Sequence, residues 1–133
     1  MTDATVPTTI ARNKGCARAY FERFADMTVV DEIFASAVQF HYPLGDLNGL
    51  SALKTYLMAV RKAFPDIQFT IDDIFGEDDL VGTRWTLRGT QTEELRGRQP
   101  TGKLVTVPGN TIFRLREGRI LEMWVAFDPA RLF

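Results

Sequence analysis

The 133-residue sequence contains one cysteine and one histidine, which excludes several kinds of site at once. Cys16 has no cysteine to pair with, so an intrachain disulfide is excluded and nothing argues for an oxidising compartment. His41 alone excludes zinc sites built from two histidines or from cysteine and histidine together. We therefore expect neither a metal nor a cofactor.

The sequence also lacks an excess of charge and a long apolar run. It has 16 Lys and Arg residues against 17 Asp and Glu, a net charge of -1 at pH 7. Phosphate backbones are bound by basic surfaces, so we expect no nucleic-acid partner. Residues 1–4 show neither the basic nor the apolar region of a signal peptide, and no run is long enough to cross a bilayer. These absences predict a cytoplasmic protein with no membrane partner.

Aromatic residues are present in surplus: ten Phe, three Tyr and two Trp. The length and the 45% hydrophobic content fit one domain over residues 1–133, with about the first six residues as a flexible tail. The aromatic side chains could fill a core, or they could line a cavity for a flat apolar ligand. Composition alone leaves both interpretations open.

The spacing of apolar residues predicts three helices in the first half of the chain. The first begins near Pro7 and extends to about Phe24. The second runs from about Val29 to Phe34, with Thr28 as its N-cap, and the third from about Leu50 to Phe64.

Alternating patterns predict strands in the remainder, after one short strand between the second and third helices. The predicted strands are Ala37–Tyr42, Ile67–Asp72, Leu80–Thr90, Leu104–Leu115 and Arg119–Asp128. A polar loop, Gln91–Lys103, is long enough to form a rim or lid. Helices followed by antiparallel strands are typical of the α+β class, and we expect a strongly curved sheet that forms a cone around its helices.

Several short motifs in the predicted order resemble the SnoaL-like polyketide cyclases of the nuclear transport factor 2-like superfamily. They are Phe64-Pro65-Asp66-Ile67, Gly89-Thr90, Pro100-Thr101-Gly102-Lys103, Ile112-Phe113-Arg114, Glu117-Gly118-Arg119-Ile120, Glu122-Met123-Trp124 and Asp128-Pro129. The resemblance implies a cone-shaped α+β barrel with an interior pocket, assembled as a homodimer or tetramer. It also implies cofactor-free ring closure of a polyketide ester by intramolecular aldol condensation. The aspartate that serves these enzymes as general acid and base matches Asp128.

The chemistry expected of Asp128 depends on the face of the last strand to which it belongs. Strand alternation groups it with Trp124 and Glu122. If that face lines the pocket, burial raises the pKa of the carboxyl group and suits it to proton transfer near neutral pH. The alternative is that Asp128 only caps the strand end ahead of Pro129.

Other polar and aromatic residues are candidates for the same pocket. His41 could assist proton transfer or hold a carbonyl oxygen, or it could be a half-buried strand histidine. Asn110 and Arg114 share one strand face and could donate to an enolate oxygen, unless Arg114 pairs with Glu122 instead. The candidate ligand-binding residues are Tyr20, Tyr42, Tyr56, Trp85, Asn110, Arg114 and Trp124.

Two related activities of the superfamily fit less well. Resemblance to ketosteroid isomerases would place their polarising tyrosine at Tyr20, but Tyr42 and Thr111 stand where those enzymes carry their carboxylates. The arginine–aspartate pair of the limonene-epoxide hydrolases has no match. The sequence therefore favours a cyclase or isomerase acting on a small apolar or aromatic carbonyl compound. The alternative is a binding or assembly module of the same fold without catalysis.

Overall fold

The computed structural model describes residues 8–132, so the expected tail lies outside the described residues. Helices α1 (Thr9–Glu22), α2 (Met27–Ile33) and α3 (Leu50–Ala63) confirm the three predicted helices. The N-cap prediction for α2 is wrong: Asp26 caps it, accepting a hydrogen bond of 3.0 Å from the backbone N–H of Thr28. The Asp26 carboxylate reaches the N–H of the residue two positions later, so the helix begins at Met27 and not near Val29 as expected.

Six strands form one sheet, one more than the sequence predicted. They are β1 (Phe34–Tyr42), β2 (Gly45–Asn48), β3 (Gln68–Glu77), β4 (Leu80–Thr90), β5 (Leu104–Arg116) and β6 (Arg119–Phe127). The unpredicted strand β2 is only four residues long, too short for an alternating pattern. A 3₁₀ turn, Pro129–Arg131, follows β6.

The strand order is β2-β1-β6-β5-β4-β3, with β1 and β6 parallel and every other pair antiparallel. The sheet is therefore open, with β2 and β3 at its edges. Helix α1 packs against β3 and β4, whereas α3 packs against β1 and β2. This arrangement confirms the mostly antiparallel α+β fold, and it encloses the core between the helices and one face of the sheet.

We call the helix-facing side of the sheet the inner face and the opposite side the outer face. Strands β4 and β5 alternate in burial, with Trp85, Leu87 and Val107 buried on the inner face. Arg84 and Arg88 are exposed on the outer face. This alternation settles the orientation of β4, which the sequence pattern had left open.

The face of β6 that the sequence grouped with Asp128 does not line the cavity, and the strand contains a bulge. Arg114 pairs with Glu122 but Leu115 pairs with Ile120, so Leu121 is an extra residue opposite β5. The bulge lets Ile120 and Met123 both face inward. Beyond it, Val125 and Phe127 continue the inner face, and Glu122 and Trp124 lie on the outer face.

One glycine determines how an aromatic wall is built on the inner face. Trp85 pairs with Gly109 on the neighbouring strand, and a Cβ atom at Gly109 would overlap the Trp85 ring. Only glycine leaves room for the indole to lie flat across β5. The absence of a side chain at Gly109 thus fixes the position of Trp85.

Candidate functional site

A cavity of about 60 Å³ lies between the helices and the inner face. Its walls are mostly aromatic and include Tyr20, Tyr42, Tyr56, Phe69, Trp85 and Phe127. Established small-molecule sites span roughly 300–1,000 Å³, so the lining rings must move apart to admit a ligand larger than a few waters. The aromatic surplus therefore does both things that composition had allowed: it fills the core and it lines a cavity.

Tyr20 on α1 lies among aromatic side chains. Its ring makes edge contacts with Phe21, Phe34 and Phe113, at centroid distances of 5.1, 5.7 and 5.9 Å. Burial raises the pKa of its hydroxyl far above the ordinary value, because a phenolate would be unsolvated there. Like any tyrosine it is a phenol at neutral pH, and its hydroxyl can donate a hydrogen bond.

Tyr56 on α3 is the second cavity tyrosine with a perturbed hydroxyl. Burial raises its pKa, and the nearby Tyr20 raises it further. Its ring lies 4.9 Å from that of Tyr42 and 5.6 Å from that of Phe40. The cavity is thus bordered by phenols from α1, α3 and β1, which are polar groups on a mostly aromatic surface.

Tyr42 is 6% exposed, and no described residue pairs with its buried hydroxyl oxygen. The guanidinium carbon of Arg96, on the loop between β4 and β5, lies 5.5 Å from the centre of its ring. The predicted rim loop therefore reaches the cavity at this tyrosine.

Trp85 lines the cavity, and its indole N–H is hydrogen-bonded within the protein. That N–H donates to the hydroxyl of Thr111 at 2.9 Å, and Thr83 donates to the Thr111 carbonyl at 2.9 Å. Thr111 is 1% exposed and lines the cavity. The sequence analysis noted Thr111 only because it stands where ketosteroid isomerases carry a carboxylate. The alternation of β5 is the signal that could have identified it as a residue of the inner face.

The structure does not place Asp128 inside the cavity. The residue is exposed after the end of β6, and its carboxylate accepts a hydrogen bond of 3.0 Å from the backbone N–H of Ala130. This is the capping arrangement that the sequence left as the alternative. Phe127 and Leu132, on either side of this turn, do line the cavity, so Asp128 directly follows a cavity residue in the chain.

His41 also lies outside the cavity, on the outer face, because its neighbours Phe40 and Tyr42 turn inward. Its Nε2 atom is 2.7 Å from Glu122 and its Nδ1 atom 3.1 Å from Asp46. The hydrogen bond to Glu122 is the main cause that raises the pKa of the imidazole. His41 is the half-buried, hydrogen-bonded strand histidine of the alternative interpretation.

The remaining candidates on β5 and β6 share this outer face. Arg114 lies 3.8 Å from Glu122 and 5.3 Å from the ring centre of Trp124. Trp124 in turn stacks on His41, with centroids 5.9 Å apart, and Asn110 is exposed. None of these three candidates lines the cavity, because the bulge in β6 and the alternation of β5 turn them outward.

Among residues 8–132, the side chains that line the cavity include no carboxylate and no imidazole. The same range holds no group of three or more His, Cys, Asp or Glu residues arranged for a metal ion. Burial raises the pKa of the Cys16 thiol to about 11, so it is not a thiolate nucleophile at neutral pH. No described helix is long and apolar enough to span a membrane, and the cytoplasmic location stays a prediction.

Comparison with known proteins identifies the family but not the reaction. A family model described as SnoaL-like polyketide cyclase matches residues 16–133. No curated protein matches the sequence significantly. Several solved structures resemble the chain, and two of them are assigned different activities.

IdmH from Streptomyces antibioticus, assigned as a polyketide cyclase, is 28% identical, with a TM-score of 0.78 over 90% of this chain and 94% of that one. AclR from Streptomyces galilaeus, assigned as a hydroxylase, is 24% identical, with a TM-score of 0.79 over 93% and 94%.

The similarity of shape extends over nearly the whole chain. A protein from Jannaschia sp. CCS1 assigned as a SnoaL-like polyketide cyclase is 20% identical, covers 98% of this chain and 94% of its own, and has a TM-score of 0.88. The match to the family model covers most of the residues that build the sheet, the helices and the cavity. The chain belongs to the SnoaL-like polyketide cyclase family.

Proposed function

We propose that this protein binds a small polyketide-like or other aromatic carbonyl compound in the cavity and catalyses its cyclisation or isomerisation without a cofactor. The observation that carries the proposal is the cavity itself, whose aromatic wall includes the phenols Tyr20, Tyr42 and Tyr56. A flat ligand would bury apolar area against Phe69 and Trp85 and gain ring contacts with them. The family assignment supports a polyketide-like ligand.

The tyrosines supply the electrophilic part of the chemistry. Tyrosine hydroxyls are protonated at neutral pH, and burial raises the pKa of Tyr20 and Tyr56 further above the ordinary value. Each can donate a hydrogen bond to a carbonyl oxygen, and the bond strengthens as negative charge develops on that oxygen. This lowers the free energy of the enolate relative to that of the ketone.

The reaction balances without an oxidant. A proton leaves the carbon between two carbonyl groups. The enolate carbon then bonds to the carbon of a third carbonyl group in the same molecule, whose C–O π bond breaks to give an alkoxide. The alkoxide formed takes up a proton, so the ring closes with no net loss of electrons or protons. One acid–base group and hydrogen-bond donors suffice for this sequence.

We assign the acid–base step to Asp128. It lies between Phe127 and Leu132 in the chain, and both of those side chains line the cavity. Its carboxylate would have to exchange the bond to Ala130 for contact with the ligand. Asparagine at this position keeps an oxygen for the cap but accepts no proton, so Asp128→Asn separates the two roles.

Deuterium exchange at the central carbon of 1-phenyl-1,3-butanedione, followed by proton NMR in D₂O, tests the proposal. We expect the protein to accelerate exchange above the buffer rate. Asp128→Asn should lower the accelerated rate by about a hundredfold, the low end for general acid–base catalysis. Tyr20→Phe should lower it by about tenfold through loss of a charge-assisted hydrogen bond. Asp78→Asn, in an exposed turn with φ 54°, is the matched control and should leave the rate unchanged.

A binding role without catalysis is the second candidate. It is favoured by the absence of carboxylate and imidazole from the cavity lining within residues 8–132. The same experiment decides between the two: saturable binding of the diketone with exchange at the buffer rate supports a binding protein. Lack of any binding contradicts both candidates.

We also propose that the outer face mediates self-association into a homodimer or tetramer. Ile112 and Leu104 are large apolar residues exposed there, at 47% and 67% of their surface. Burial of these exposed apolar side chains against a second copy would be favourable. Light scattering coupled to size-exclusion chromatography tests this, and Ile112→Glu should shift the population toward monomer.

A further inference from the structure

The hydroxyl of Tyr42 is a buried polar group that the fold leaves without a partner. The side chain is 6% exposed, and none of residues 8–132 accepts from or donates to its oxygen. An unpaired buried hydroxyl destabilises a protein, whereas phenylalanine would fill the same space without that cost. The fold therefore gains nothing from this oxygen, which suggests that its partner is a ligand.

The surroundings of Tyr42 fix the position of its ring. The ring lies between Phe40, 5.2 Å away on the same strand, and Tyr56, 4.9 Å away on α3. It lines the cavity, so a ligand that enters meets this side chain. A hydroxyl on a ring held from both sides is a preorganised donor.

A cation lies over the same ring. The guanidinium of Arg96 is 5.5 Å from the ring centre of Tyr42, within the range of a cation–π contact. Positive charge over a phenol draws electron density from the ring, which makes its O–H a stronger donor and favours negative charge on an oxygen bound to it.

The loop that carries Arg96 is ordered by its own contacts. Gln91 is fully buried and donates to the backbone carbonyls of Glu93 and Arg98, at 3.0 and 2.9 Å. Leu95 pairs with Arg98 across the loop, and Arg96 adopts a φ of 51°, a left-handed conformation that costs a non-glycine residue free energy. The loop thus holds a conformation that is locally unfavourable and that presents Arg96 to Tyr42.

We infer that Tyr42, backed by Arg96, donates a hydrogen bond to an oxygen of the ligand that carries or develops negative charge. The ligand class is a planar aromatic or conjugated compound with an enolic or phenolic oxygen. This inference rests on the proposed function, because it needs the cavity to admit a ligand. Beyond the proposed function, it assigns to Tyr42 and Arg96 the selection of ligands that carry an acidic oxygen.

Equilibrium dialysis with 4-nitrophenol and 4-nitrotoluene tests the inference, because the two probes share a ring and differ in the acidic hydroxyl. We expect the wild-type protein to bind 4-nitrophenol about tenfold more tightly than 4-nitrotoluene. Tyr42→Phe should remove most of that preference while leaving the affinity for 4-nitrotoluene unchanged. Its melting temperature should equal or exceed that of the wild type, because the lost hydroxyl has no described partner.

Arg96→Gln isolates the contribution of the cation. It should weaken binding of 4-nitrophenol by a smaller factor, and the absorbance of the bound probe should shift from phenolate toward phenol. Lys103→Gln removes a positive charge from an exposed position on the same loop and is the matched control, with no expected effect.

Four outcomes would overturn the inference. Tyr42→Phe could keep the preference for 4-nitrophenol, or it could lose affinity for both probes equally, as a packing role would give. A wild-type protein that binds both probes equally would also contradict it while leaving the proposed binding function standing. A wild-type protein that binds neither probe would overturn the proposed function and this inference with it.

Discussion

The Nε2 atom of His41 lies 2.7 Å from Oε2 of Glu122, joining the parallel strands β1 and β6 on the outer face. The other ring nitrogen lies 3.1 Å from Asp46 on the edge strand β2. Only the protonated imidazole can donate to both carboxylates at once. His41 therefore couples the edge strand to the sheet through its charge, and this role does not require contact with a ligand.

Stability should fall as the pH rises through the raised pKa of His41. Because the folded protein binds this proton more tightly than the unfolded chain, the bridge contributes fully below the ordinary pKa of 6.5 and is lost above the folded-state value. We expect the loss to be about 0.5–1 kcal/mol, since the ring is partly exposed to solvent. Urea unfolding at a series of pH values measures it. Arg114 also faces Glu122, with its Nη1 atom 3.8 Å from Oε1.

His41→Gln is the control for this pH effect. Glutamine can donate a hydrogen bond but does not titrate, so its unfolding free energy should change less over the same pH interval. An equal slope in the two proteins would show that another group causes the pH dependence.

Removal of the Thr111 hydroxyl should destabilise the wall of the cavity. Thr111→Val keeps the shape of the side chain but leaves the indole N–H of Trp85, 2.9 Å away, without its acceptor. The expected cost is about 1–3 kcal/mol, the penalty for an unpaired buried donor. In a Trp85→Phe background the same substitution should cost less, and chemical denaturation of the four proteins measures the coupling. Equal costs in both backgrounds would contradict the interpretation.

The sequence predicted the features of this fold that depend on residues close together in the chain. It did not predict those that depend on contacts between distant segments. Helix α3 and strands β4 and β5 follow from regular apolar spacing, which is local. The face of β6 does not, because apolar residues lie on both sides of Leu121 and the bulge there depends on pairing with β5. One extra residue reversed the expected orientation of Trp124.

The candidate site shows the same limit. Tyr20, Tyr42, Tyr56 and Trp85 were predicted to be ligand-binding residues, and the structure brings them together at the cavity. Whether they bind a ligand stays a prediction. The unpaired Tyr42 hydroxyl and the Arg96 guanidinium over its ring arise from contacts distant in sequence, and no local pattern signals them.

Two glycine substitutions should change stability in opposite directions. Gly15 lies on the exposed side of α1, where an added methyl group would meet no heavy atom within 4 Å, so Gly15→Ala should stabilise by about 0.5–1 kcal/mol through helix propensity. Gly109→Ala would force the Trp85 ring out of place and should destabilise by about 1–3 kcal/mol. Thermal unfolding of both variants checks the signs. Stabilisation by Gly109→Ala would contradict the packing of Trp85 across β5.

Substitutions at Asp128 should separate its capping role from its proposed chemistry. Asp128→Ala removes the oxygen that accepts from Ala130, and an N-cap of this kind contributes about 0.5–2 kcal/mol. Asp128→Asn keeps that oxygen and should unfold at nearly the wild-type temperature. If deuterium exchange into 1-phenyl-1,3-butanedione falls in both variants, proton transfer is the cause. If exchange falls only in the alanine variant, in step with its stability, Asp128 is a cap and the base lies elsewhere.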